Sequence, residues 1–269
     1  SSFDITGPSR GGWDGNSYKL DALGNKIWDK RFGSSNDDFL VDIFTMDNDD
    51  ILLTGYSNGG ISGDKTEGSR GDYDYWLIKM DSLGIKIWDK TLGGSQFDGA
   101  KKAILACDGN IVVIGSSESG ISGDKTSPRK GGSDYWVVKV DQNGNKLWDV
   151  SIGGADEDYG NDIYQMDDGS YLLAGDSKSG VSGDKTDTCR GRADYWIANL
   201  VVGAEFVLPD TVCAGDTVVF QDSSTVITEQ WTWDFGDPAS GIQNSSMDSD
   251  PSHIYIQPGT YTITQIVRE

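Results

Sequence analysis

The chain repeats itself at a spacing of 60 residues, and that period limits its fold more tightly than any other feature. Ser-Gly-Asp-Lys-Thr occurs at residues 62–66, 122–126 and 182–186, and Asp-Tyr-Trp at 74–76, 134–136 and 194–196. Trp28, Trp88 and Trp148 keep the same step. Periods of this size belong to solenoids, propellers and arrays, whose units bury their apolar faces only against neighbouring units.

The central copy shows what one unit contains. Apolar runs at 100–107 and 111–116 flank Asp108-Gly109, a dipeptide that favours the left-handed turn of a hairpin. Runs at 135–140 and 146–152 flank Gln142-Asn143-Gly144, and the polar stretch 118–133 joins the two hairpins. Further hairpin turns are expected at Leu23-Gly24-Asn25 and Asp168-Gly169. The second and third strands are apolar at consecutive positions (IVVIG, YWVVKV), as strands covered on both faces must be.

The expected fold class is therefore all-β, with four-stranded antiparallel blades of a β-propeller in residues 1–202. Residues 38–92 and 98–152 read as complete blades. Residues 14–32 read as the last two strands of one blade, with Asn16 where later copies have Trp, and 158–200 as the first three strands of another. Propellers close with about four to eight blades, so the ring is expected to be incomplete here, with further blades upstream of Ser1. The last blade's missing outer strand is expected from elsewhere in the protein.

The order of apolar strand ending in Gly, long loop, strand ending in Asp, turn and Trp resembles kelch-type blades. It is also similar to the longer repeats of surface proteins secreted by Bacteroidota, with their DYWxxKxDxxGxxxW…GG…D pattern. That resemblance implies an exported protein carrying a type IX sorting domain beyond residue 269. From residue 205 the pattern changes to Trp231-Thr232-Trp233-Asp234-Phe235-Gly236-Asp237, then His253-Ile254-Tyr255 and PGTYTIT at 258–264. Residues 205–269 resemble the PKD domain, an immunoglobulin-like β-sandwich whose usual last strand is missing here. Trp231 and Trp233 alternate onto one face of a strand, so at least one should fill the core. His253, the sole histidine, takes the structural position before the Pro-Gly corner that the resemblance implies.

Composition narrows the partners. With 22 Lys and Arg against 43 Asp and Glu, the net charge is −21. Such a field repels phosphate backbones and anionic membranes, so nucleic acid and direct membrane insertion are not expected. Cys107 sits in a strand-like run and reads as a small buried thiol. Cys189 and Cys213 flank the end of the last repeat, and two readings stand equally: they pair with each other, or Cys213 pairs with a cysteine beyond this chain.

Antiparallel order gathers the long loops on one face and the minimal turns on the other, and long loops on rigid scaffolds carry binding. On the loop face Asp64, Asp124 and Asp184, with Asp38, Asp98 and Asp158, offer hard oxygen ligands for calcium. The plainer account is that each SGDKT is a tight turn, its Ser and Asp bonding backbone amides and its Gly taking positive φ. Carboxylate pairs for glycoside hydrolysis are numerous, but acids repeated at equivalent positions are architectural. A nucleophilic triad lacks its histidine on this domain. Trp76, Trp136, Trp196, Trp88 and Trp148 are read as inter-blade packing rather than sugar platforms.

No catalytic residue and no cofactor other than calcium is expected. The expected function is a non-catalytic, secreted or cell-surface, adhesin-like protein, the propeller meeting a protein or glycan partner and the PKD domain acting as spacer. The alternatives are an accessory region of a carbohydrate-active enzyme or protease, and a structural filament or stalk component.

Overall fold

The computed structural model describes residues 8–46, 48–167, 169–202, 206–207, 212–222 and 230–268. Asp168, half of one expected hairpin turn, lies outside them. The chain divides into two compact units, one holding the repeats and one holding residues 200–269 together with the short segment 168–170.

In the first unit every repeat is an antiparallel meander. The strands β1 (Gly15–Leu20) and β2 (Lys26–Phe32) form a two-stranded sheet. β3 (Asp38–Thr45), β4 (Ile51–Ser57), β5 (Asp74–Met80) and β6 (Lys86–Leu92) form the first four-stranded sheet, in chain order. β7 (Asp98–Leu105), β8 (Ile111–Ser117), β9 (Asp134–Val140) and β10 (Lys146–Ile152) repeat it. β11 (Asp158–Gln165), β12 (Tyr171–Ser177) and β13 (Asp194–Leu200) make a sheet that stops one strand short. Among the described residues the sheets remain separate and no closed propeller ring is formed.

The sheets pack face on face, which accounts for the apolar runs. All seven residues of β5 and of β8 are buried, because the even positions meet one neighbouring sheet and the odd positions the other. One core joins Phe32 to Trp76, Ile78 and Met80, and the next joins Tyr75 and Leu77 to Trp136, Val138 and Val113. The aromatic contact recurs with the period. The Tyr75 ring lies 4.7 Å from Trp136, and its hydroxyl donates to the Trp136 carbonyl at 2.9 Å. Tyr135 does the same to Trp196 at 5.1 Å and 3.1 Å.

The turn linking the last two strands of each repeat is built by an aspartate. Asp21, Asp81 and Asp141 each accept two backbone amides two and four residues ahead, and the glycine that follows stands at φ 83°, 77° and 80°. β7 ends at Leu105, earlier than the apolar run suggested, because Ala106 already closes the turn onto Asn110 and Gly109. Cys107 is therefore an exposed turn residue and not a buried strand residue, its amide held by Gln165. Cys107, Cys189 and Cys213 are all free thiols.

In the second unit β14 (Phe206–Val207) pairs with β16 (Gln221–Asp222), and β15 (Thr217–Val219) with β19 (Ser252–Ile254). β17 (Gln230–Asp234) lies between β18 (Ser245–Ser246) and β20 (Thr264–Arg268). A 3₁₀ turn spans Pro238–Asn244. Trp233 is fully buried with Phe220, Phe235 and Tyr255, whereas Trp231 only flanks that core and donates its indole N–H to Asp222. His253 is buried, stacked on Phe235 at 4.6 Å, with Nε2 3.2 Å from Asp237.

Candidate functional site

The SGDKT aspartates hold the two classes of long loop together. Gly63, Gly123 and Gly183 stand at φ 59°, 58° and 55°, which turns each following Asp toward the connection entering its own repeat. Asp64 Oδ2 accepts the Gly33 amide at 3.1 Å and its own amide donates to the Gly33 carbonyl at 2.9 Å. Asp124 with Gly93 and Asp184 with Gly153 reproduce the exchange. Each carboxylate also meets a cation from the preceding repeat: Arg10 for Asp64, Arg70 at 2.8 Å for Asp124, and Lys130 at 2.6 Å for Asp184. The structure thus places the three aspartates at three separate junctions, each engaged in an ionic clasp. Among the described residues no group of three or more His, Cys, Asp or Glu is arranged to hold a metal ion.

The lysine of the same pentapeptide turns the other way, into the protein. Lys65, Lys125 and Lys185 are buried, with their ammonium groups 5.6, 5.2 and 5.7 Å from the ring centres of Trp76, Trp136 and Trp196. Burial pulls Lys65 and Lys125 down to about 8, against the attraction of nearby aspartates. For Lys125 the main counter-charge comes from the outer strand, whereas Lys65 is attracted more by Asp74 and Asp38 than by the outer-strand Asp89. Asp149 accepts the Thr126 amide at 3.1 Å, the Ser127 amide at 3.0 Å and the Trp136 indole at 2.9 Å. Burial opposes its ionisation, but hydrogen bonds from Lys146, Thr126, Trp136 and Ser127 together carry its carboxyl well below the usual range. Asp89 is set the same way in the preceding repeat. The exact repetition of this lysine beside an Asp-Tyr-Trp strand was the available signal, masked by its usual reading as a solvated side chain.

Asp38, Asp98 and Asp158, the other acids considered as calcium ligands, open β3, β7 and β11 as buried caps on the amides of Ser34, Gly94 and Gly154. Asp74 caps Arg70 in the same manner and is fully buried near Asp98. Burial pushes its carboxyl up to about 6, with the Asp98 charge adding to the shift. The folded-state value lies above the ordinary 3.8, so the penalty is fully present at pH 7 and fades as pH falls through 6. Asp74→Asn should remove this dependence. In denaturant unfolding the wild type should gain about 1–3 kcal/mol relative to the variant between pH 7 and pH 4.5. An unchanged difference would show that Asp74 ionises normally.

One feature of the loop face does not repeat. Trp13, Phe39, Tyr56, Tyr73 and Phe97 form a continuous aromatic cluster with ring centres 5.1–6.3 Å apart. All five lie at strand ends beside the long loops and share four repeat positions, Trp13 and Tyr73 being equivalent. The next copies carry Ser133, Gly99, Ser116 and Glu157 there, and Tyr159 restores an aromatic at the Phe39 position. Four of the rings are half-buried and Trp13 is 70% exposed. Asp37 accepts the Trp13 amide at 3.0 Å and lies 3.4 Å from the Tyr73 hydroxyl, and Lys101 stands over Tyr56. Attention to the repeated residues hid this cluster, because it consists of the positions where the copies disagree. Trp76 and Trp136, by contrast, are fully buried between sheets, and Trp88 donates its indole N–H to the Gln142 carbonyl of the next repeat.

No helix among the described residues is long and apolar enough to cross a membrane, a statement that does not extend to strands. Comparison with known proteins adds two likenesses. The chain is 28% identical over 134 residues to the regulatory protein FlaEY of Caulobacter vibrioides, a match covering 48% of this chain and 14% of that protein. Residues 203–269 match the PKD domain family, so the second unit is a PKD domain.

Proposed function

We propose that this chain is a non-catalytic, secreted or cell-surface binding protein. In this reading the repeat sheets are consecutive blades of a β-propeller, the PKD domain is a spacer, and the aromatic cluster is the ligand contact. The observation that carries it is that the five rings Trp13, Phe39, Tyr56, Tyr73 and Phe97 come together as a cluster once, on a scaffold otherwise renewed every 60 residues. A repeated residue serves the array, and a patch present once serves something outside it.

Flat rings edged by a carboxylate and an ammonium suit a glycan, whose C–H faces stack on aromatics while its hydroxyls bond Asp37 and Lys101. The acids of the repeats are spent on amides, indoles and lysines, which supports a role without catalysis. The relative's printed name, a regulatory protein, fits that role as well. A glycan array probed with the wild type and with Trp13→Ala tests the reading. The exposed indole can be removed without disturbing the core, and binding to the preferred glycan should fall about tenfold or more, the effect of losing a stacking anchor. Equal binding by both proteins, or binding to no glycan, would remove the cluster from this role.

A further inference from the structure

In the two complete repeats the outer strand brings a fixed set of acceptors to the SGDKT loop. β6 reads KIWDKTL and β10 reads KLWDVSI. The aspartate of each strand receives a threonine amide and a tryptophan indole: Thr66 at 2.9 Å and Trp76 at 3.2 Å for Asp89, Thr126 at 3.1 Å and Trp136 at 2.9 Å for Asp149. Two residues further on, a hydroxyl receives the buried lysine, Thr91 from Lys65 at 2.6 Å and Ser151 from Lys125.

The last repeat has the donors without the strand. Lys185, Thr186 and Trp196 occupy the same positions, and Lys185 is 5% exposed with its ammonium against the Trp196 ring. Among the described residues the sheet ends at β13, and the lysine turns back to Ser177 at 2.7 Å. Among the described residues no carboxylate meets the Thr186 amide or the Trp196 indole. Trp196 is only half-buried where Trp76 and Trp136 are fully covered.

We infer that the free edge of β13 is an acceptor for one further strand, an extended segment carrying Trp-Asp-x-Ser or Trp-Asp-x-Thr and running antiparallel to β13. Backbone pairing along the edge supplies affinity and the preset donors supply selectivity, as in strand addition to an open sheet. The carboxylate is the discriminating group, because it alone satisfies two uncharged N–H donors while compensating a buried ammonium.

The test uses the whole 269-residue chain and a fluorescent peptide copying Lys146–Ile152 with short flanks. Saturable binding is expected, with the peptide bearing Asp149→Asn weaker by about tenfold or more, as for loss of charge-assisted hydrogen bonds. The protein variant Lys185→Met should lose the preference between the two peptides while its circular dichroism stays that of the wild type. Equal binding of the Asp and Asn peptides to the wild type would overturn the inference. So would a preference that survives Lys185→Met, or no saturation below about 1 mM. If Lys185→Met unfolds the chain, Trp196→Phe removes the indole donor alone and should lower the preference partially, and an unchanged preference would again count against the site.

Discussion

Asp149→Ala is expected to destabilise the repeat unit by about 3–5 kcal/mol, because it strips the partner from a buried charge. The carboxylate is fully buried and gathers the Thr126 and Ser127 amides, the Trp136 indole and the Lys146 ammonium. Its removal leaves the buried amides and indole without their acceptor and leaves Lys125, 1% exposed, short of the Asp149 counter-charge. Asp149→Asn should be milder, since one amide oxygen still accepts from the loop. Asp124→Ala makes the informative contrast. That carboxylate pairs with Arg70 on a partly exposed surface, where an ion pair contributes about 0.2–1 kcal/mol. Urea unfolding followed by tryptophan fluorescence should rank the three variants in that order, and an Asp124→Ala loss equal to that of Asp149→Ala would invert the roles assigned to the two aspartates.

Gly115→Ala is expected to cost about 1–3 kcal/mol or more, through overpacking against backbone that has nowhere to move. An added Cβ would stand 2.1 Å from the Gly99 carbonyl oxygen and 2.6 Å from the Tyr75 hydroxyl. The register between β7 and β8 shifts beside this point, between Ala100 and Lys102, and the bulge turns the carbonyl into the space a side chain would need. Gly55 and Gly175 meet the same obstruction from Phe39 and Tyr159 carbonyls at 1.8 and 2.0 Å. The open turn glycine Gly109 provides the control, because nothing lies within 4 Å of its Cβ position and only its φ of 81° resists substitution. Thermal unfolding should show a larger drop for Gly115→Ala than for Gly109→Ala, and the reverse order would mean the strand relaxes around the methyl group.

Much of the repeat architecture was legible in the chain. Asp-Gly and Asn-Gly pairs mark turns by backbone geometry alone, and consecutive apolar residues in β8 and β9 announce a sheet covered on both faces. What the sequence could not convey was direction. Asp124 and Lys125 are neighbours in one pentapeptide, yet the first faces a partly exposed cation and the second a buried indole. That opposition depends on the left-handed Gly123 and on packing 26 residues away at Ser151, neither of which appears in local pattern. Cys107 was misread because its apolar run outlasts the strand: Ala106 already closes the turn onto Asn110 and Gly109. The aromatic cluster draws on three repeats at once, so no single copy displays it.

The clasp on the loop face has a bearing on how such a chain can lengthen. Its cation and carboxylate stand 54 residues apart while the units recur every 60, so the two halves of one clasp always belong to different copies. A duplicated segment therefore arrives with an aspartate for the unit before it and a cation for the unit after it, and it fits between any two existing units without a compensating substitution. Arg190, the forward half in the last repeat, has no ion pair among the described residues. The grammar of this array is open at that end, and growth by whole copies is the change it tolerates most readily.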